Sequence, residues 1–134
     1  MSNRWLSSFV YDHLSLYGGT FVDGEHKPWS IGIRHPEDAK TIVKVFEIET
    51  GAIATSGLYE RGAHIIDPRF GVPAVGARAA TVVGPEAGVA DALATALVVD
   101  GRDSVNWLTH SRFLGYRFWA VDKESEAAWS YTND

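Results

Sequence analysis

The chain has 134 residues, 46% of them hydrophobic and 22% charged, so it is long enough for one domain with an ordinary core. Its net charge of -5, with Lys and Arg scattered, excludes the basic face of a general nucleic-acid binder. The absence of cysteine excludes disulfides, thiolate nucleophiles, iron–sulfur clusters and Cys-type zinc sites.

In chain order, residues 3–16 read as a short helix with Trp5, Leu6, Phe9 and Val10 on one side, ended by Gly18-Gly19. Trp29-Ser30-Ile31-Gly32-Ile33-Arg34 alternates like a strand and closes at Pro36. Residues 42–50 alternate again, with Ile42, Val43, Val45, Phe46 and Ile48 among Lys44, Glu47 and Glu49. Gly51 reads as a turn, and Ala52-Ile53-Ala54-Thr55 as the next strand. Residues 57–78 are rich in Gly and Pro, with an embedded strand at 63–66; such irregular stretches often carry function. A strand at 79–83 leads to Pro85, which suits the first turn of a helix because its missing N–H costs nothing there. Glu86 adds a favourable charge, and the helix runs to about residue 99 and stops at Gly101. Asp103 reads as the N-cap of a second helix through about Phe113. Strands at 116–121 and 127–131 complete the chain. Strands and helices come in blocks, so the fold class is α+β, a mainly antiparallel sheet packed against one long and one shorter helix, in a single domain over 1–134. The apolar run from Ala87 to Val99 is too short for a membrane span and contains Asp91. With no signal peptide at Met1, the chain as written is expected in the cytoplasm, and a start further upstream would leave export open.

Three groups of residues can carry chemistry. Asp91 and Thr95 are four apart and share one face of the long helix. A carboxylate and a hydroxyl there suit a hard cation such as magnesium, although a satisfied polar pair in a core helix is the commoner meaning of such residues. His64, Asp67 and Arg69 surround Pro68. A turn-capping Asp and a His on the loop backbone explain them; so would a His and an Arg facing a diphosphate. Thr55-Ser56-Gly57 offers two hydroxyls and a glycine that lets backbone approach a ligand. No G-x-S-x-G, P-loop, G-x-G-x-x-G or H-E-x-x-H occurs, so lipase-type, Walker-type, Rossmann and zincin functions lack support. The aromatic cluster of Trp107, Tyr116, Phe118, Trp119 and Trp129 reads as core.

In their order and separations these segments resemble the C-terminal half of the ApbE family, the FAD:protein FMN transferases. Gly18-Gly19 is similar to the family's Gly-Gly-Asp turn, with Thr20 in place of the Asp. Pro28-Trp29-Ser30-Ile31-Gly32-Ile33 with Pro36 resembles the strand before its hairpin. Ala52-Ile53-Ala54-Thr55-Ser56-Gly57 with Tyr59 resembles the segment that lines the FAD site. His64-Ile65-Ile66-Asp67-Pro68-Arg69, with Gly71 and Pro73, is close to the family signature; Phe70 stands where Thr is usual.

The resemblance implies that Asp91 and Thr95 ligate Mg2+. It also implies that His64, as the catalytic residue, faces the diphosphate, and that Thr55, Ser56, Gly57, His64, Asp67 and Arg69 line the nucleotide site. The implied reaction moves FMN from FAD to a Thr or Ser of an acceptor protein. The family's N-terminal half, with a Tyr/Asn-containing FAD segment and a Gly-rich D-x-G-x-x-x-K-G loop, has no match in these residues. Activity is therefore expected only with a complementary N-terminal half, and an apolar face is expected where that half docks or where the chain forms a homo-oligomer. A non-catalytic flavin-nucleotide or metal-binding module and a structural assembly partner are the alternatives.

Overall fold

A computed structural model describes residues 4–7, 20–23, 29–35, 38, 40–58 and 65–134, with side chains described from Ser30 onward. The strands are β1 (Arg4–Ser7), β2 (Thr20–Asp23), β3 (Trp29–Arg34), β4 (Ile42–Ile48), β5 (Thr50–Gly57), β6 (Ile66–Asp67), β7 (Val72–Pro73), β8 (Ala77–Gly84), β9 (Arg117–Asp122) and β10 (Ala128–Thr132). The long helix α1 spans Ala87–Asp100, and a single-turn helix α2 spans Val105–Leu108.

Five strands form an antiparallel sheet in the order β10-β9-β8-β5-β2. A second sheet has the order β1-β3-β4, in which β1 runs parallel to β3 and β3 antiparallel to β4. β6 and β7 form a small hairpin. The α+β expectation of a mainly antiparallel sheet against one long helix and a shorter one therefore holds.

The central strands β5 and β8 are buried almost throughout, because both of their faces are covered. On one face Ala54, Ala80, Val82, Phe118 and Ala120 meet Ala90, Leu93, Ala94, Leu97 and Val98 of α1. Small residues on both sides let helix and sheet approach closely, while Gly88, Ala92 and Thr95 form the exposed side of α1. On the other face Ile53, Val83 and Trp119 meet Ile31, Ile33, Phe46 and Ile48 of the second sheet. Successive residues of β5 thus serve two different cores, as the period of two requires.

Two glycines are fixed by close approach. Gly101 ends α1 at φ +55°, donates to the Leu97 carbonyl, and lies so near Gly76 that a Cβ on it would sit 2.4 Å from the Gly76 oxygen. A Cβ on Gly84 would sit 2.0 Å from the ring of Tyr116, which is buried beside it.

The structure corrects several boundaries. Residues 4–7 are not helical: they pair with residues 29–32 of β3, whose backbone groups satisfy theirs. The rest of the expected helix over 3–16 lies outside the described residues. Gly51 is not a turn but an early residue of β5, paired with Val22. The strand expected at 63–66 meets β6 (Ile66–Asp67) only at Ile66; Ile65 is not in a strand, and residues 59–64 lie outside the described set. α1 starts at Ala87, with Glu86 rather than Pro85 at its boundary.

The second helix does not run from Asp103 to Phe113. The chain forms a 3-10 turn at Gly101–Ser104, then α2, then a 3-10 turn at Ser111–Phe113. Asn133 explains the break. Its Nδ2 donates to the carbonyls of Leu108 at 2.9 Å and His110 at 2.8 Å, acceptors that a continuous helix would have used.

Among the described residues, exposed large apolar side chains include Ile42, Val43 and Val45 on β4 and Ile66, Phe70, Val72 and Val75 around the β6–β7 hairpin, besides Val105 and Leu114. No helix among the described residues is long and apolar enough to cross a membrane.

Candidate functional site

Strand parity separates the two hydroxyls of Thr55 and Ser56. Thr55 lies on the face toward the second sheet, fully buried, and its Oγ1 pairs with Thr81 Oγ1 at 2.8 Å across the β5–β8 ladder. Ser56 lies on the opposite face, toward α1, where its Oγ is 3.1 Å from Thr95 Oγ1. Thr95 also donates to the Asp91 carbonyl at 3.3 Å, the usual back-bond of a helical Thr. Asp91 is one turn earlier on the same helix face. Ser56, Asp91 and Thr95 thus come together at the junction of β5 and α1, with Gly57 next in line at the end of the strand.

The electrostatics of Asp91 are unusual. Its Oδ1 is sealed from solvent and has no hydrogen-bond partner among the described residues. Burial alone raises its pKa above the ordinary carboxylate value. Buried carboxylates are normally paired or bound to a cation. Thr95, by contrast, is exposed, so the hydroxyl side of the site is open. One carboxylate and one hydroxyl on an exposed residue match how Mg2+ is held by proteins: few protein ligands, completed by water and substrate phosphate. The residues present therefore fit a hard divalent cation.

Asp67 and Arg69 are occupied with each other. Asp67 Oδ1 accepts from the backbone N–H of Arg69 at 2.9 Å and from its Nε at 3.0 Å, and Oδ2 accepts from Nη2 at 2.8 Å. These bonds hold the Asp67 carboxyl below its ordinary pKa. Arg69 reaches on to Asp100 Oδ1 at 3.1 Å, and Asp100 Oδ2 accepts from Trp107 Nε1 at 2.8 Å. The hairpin is thereby tied to the C-terminal end of α1. Nine residues of helix separate Asp100 from Asp91, about 13 Å along the axis. The structure thus brings Ser56, Asp91 and Thr95 together, sets Thr55 on the other side of the sheet, and holds Asp67 and Arg69 at the far end of the helix. His64 lies outside the described residues.

Residues 13–116 match the family model described as the ApbE family. The chain belongs to the ApbE family. Among its relatives, the FAD:protein FMN transferase of Rhodobacter capsulatus is 34% identical over 114 residues, which are 78% of this chain and 21% of that protein. The FAD:protein FMN transferase of Klebsiella pneumoniae is 31% identical over 128 residues, 85% of this chain and 36% of that one. The fold agrees with solved ApbE structures. The ApbE protein of Thermotoga maritima superposes with a TM-score of 0.64 at 33% identity, covering 76% of this chain and 35% of its own. The flavin transferase ApbE of Vibrio cholerae gives 0.61 at 28% identity, covering 81% and 36%. The present chain thus spans about a fifth to a third of the length of these ApbE relatives.

Ser56, grouped by resemblance with the nucleotide-lining residues, meets Thr95, 39 positions away, a pairing with no signal in sequence spacing. Strand parity along Ala52-Ile53-Ala54-Thr55-Ser56 already held the signal that Ser56 and Thr55 face opposite sides. Asn133 and the Asp100 link to Arg69 had no comparable local signal.

Proposed function

We propose that this chain supplies the cation-holding part of an FAD:protein FMN transferase site. The observation that carries the reading is the sealed oxygen of Asp91, without a partner among the described residues, beside Thr95 and Ser56 in a chain of the ApbE family. Asp91 and Thr95 would hold Mg2+. The ion, when bound, supplies positive charge that offsets diphosphate repulsion and stabilises the departing AMP. In the reaction the hydroxyl oxygen of an acceptor Thr or Ser forms a bond to the FMN phosphorus of FAD. The phosphorus–oxygen bond to AMP breaks, and the hydroxyl proton is released.

The part of this chain is to position and to stabilise charge, which are the main contributions to phosphoryl-type transfer. His64 would donate to the diphosphate, and Gly57 would let the β5 backbone approach the nucleotide. Arg69 serves the hairpin through Asp67 and Asp100, which engage its Nε and Nη2 groups.

The share of the relatives that this chain covers favours a site completed by further sequence. We therefore include a complementary N-terminal half in the proposal, with the exposed apolar groups on β4 and the β6–β7 hairpin as its docking surfaces or as contacts of a homo-oligomer. A cytoplasmic location belongs to the same proposal. The alternative is a non-catalytic module that keeps only metal or flavin-nucleotide affinity. Incubation of the chain with FAD, Mg2+ and an acceptor peptide, with and without an N-terminal half from a relative, separates the two. Transfer in the complemented reaction supports the transferase; FAD or Mg2+ binding without transfer in any mixture supports the module.

A further inference from the structure

The environment of Ser56 carries one step more. Ser56 is 7% exposed and ends the run of β5 side chains that face α1. Across the helix–sheet junction its Oγ meets Thr95 Oγ1 at 3.1 Å. Each hydroxyl has one proton and two lone pairs. The Asp91 carbonyl can only accept, so the 3.3 Å bond to it uses the proton of Thr95. The proton between the two hydroxyls is then that of Ser56, and Ser56 donates to Thr95. Thr95 Oγ1 is left with one lone pair, uncommitted to either bond. A helical Thr divides its population between two χ1 rotamers. A strand hydroxyl fixed in the wall of the sheet selects the one that turns Oγ1 toward β5.

We infer that Ser56 is a positioning residue for the cation site: its hydroxyl donates to Thr95 and directs the remaining Thr95 lone pair into the space shared with Asp91. The inference rests on the proposed Mg2+ site and assigns Ser56 to the ion rather than to the flavin nucleotide. Ser56 does not itself bind the ion; it acts through Thr95, as partners of metal ligands do when they fix a ligand's orientation.

The test is a metal titration of the 134-residue chain with Mn2+ as the paramagnetic probe, following broadening of the Asp91 and Thr95 backbone amide signals. Four proteins are compared: wild type, Ser56→Ala, Thr95→Val and the double variant, each checked for native amide dispersion. Ser56→Ala is expected to raise the titration midpoint about tenfold, the usual scale for losing a ligand's orienting partner. In the Thr95→Val background the same change is expected to leave the midpoint where Thr95→Val alone puts it. A merely structural role would lower the melting temperature without this dependence on Thr95.

An unchanged midpoint in Ser56→Ala overturns the inference and leaves the cation site standing. An equal loss with and without Thr95 also overturns it, since Ser56 would then act on the ion independently. No selective broadening in wild type removes the cation site, and the inference with it.

Discussion

Asp91→Ala should stabilise this protein in the absence of metal. The wild type holds a carboxylate oxygen of Asp91 sealed from water with no partner among the described residues. Leaving such a group unsatisfied costs about 1–3 kcal/mol, and Asp91 is only half-buried, so the lower part of that range applies. Alanine also has the better helix propensity, by about 0.5 kcal/mol, at a position inside α1. A net gain of about 1–2 kcal/mol follows. For 134 residues the unfolding entropy is about 0.28 kcal/mol per kelvin, so the melting temperature should rise by about 4–7 °C at pH 7.

The gain has a defined pH dependence. Burial raises the Asp91 pKa in the folded state. A raised carboxyl pKa gives stability that is complete below the unfolded value and lost as pH rises through the folded value. The advantage of the variant should therefore be largest at neutral pH and shrink in acid. Mg2+ at ten times its dissociation constant should stabilise wild type by about 1.4 kcal/mol and the variant not at all, closing the gap. Differential scanning calorimetry in chelator and in excess Mg2+ reads all three effects. A metal-free Asp91→Ala that melts below wild type at pH 7 would refute the reasoning, because it would show that the carboxylate has a stabilising partner.

Gly84→Ala should destabilise the fold by at least about 1–3 kcal/mol, since its Cβ would fall 2.0 Å from the buried Tyr116 ring and force a shift of packed groups. A lower urea midpoint at unchanged slope would show this. Asp67→Asn should flatten the acid limb of stability. Arg69 holds the Asp67 carboxyl below its ordinary value, so the pair contributes fully above about pH 4 and is lost as pH falls through the lowered value. Circular dichroism melts between neutral pH and strong acid would reveal the difference, and parallel acid limbs would contradict it. Phe70→Thr should change stability by less than about 0.5 kcal/mol, because Phe70 is 72% exposed, and should leave transfer in a complemented reaction intact or improved.

The sequence made the central layers readable because their residues report on local periodicity. Alternation placed β3 and β4, and the Ala/Leu/Val run bounded by Pro85 and Gly101 placed α1 within two residues. The spacing of Asp91 and Thr95 identified a shared helix face without any knowledge of what it faced. What was not readable depended on distant partners. Residues 4–7 became a strand because β3 offers them a ladder, which no four-residue window reveals. The second helix broke because Asn133 takes two of its carbonyls from 23 and 25 positions away. Thr55 was absorbed by Thr81 on the neighbouring strand, and Asp67 with Arg69 by Asp100 at the far end of α1. Polar side chains near a signature motif can be committed to holding the fold, and only their partners in the folded chain distinguish them from side chains available to a ligand.

The central claim is that Asp91 and Thr95 form the cation site of an FMN transferase completed by further sequence. Mass spectrometry of an acceptor peptide, after incubation with FAD, Mg2+, this chain and an N-terminal half from a relative, tests it most directly. The account predicts a phosphoester-linked FMN on the acceptor Thr in the complemented reaction, none with the isolated chain, and none when Asp91→Ala replaces wild type. Transfer that persists with Asp91→Ala, or that proceeds with this chain alone, would contradict it.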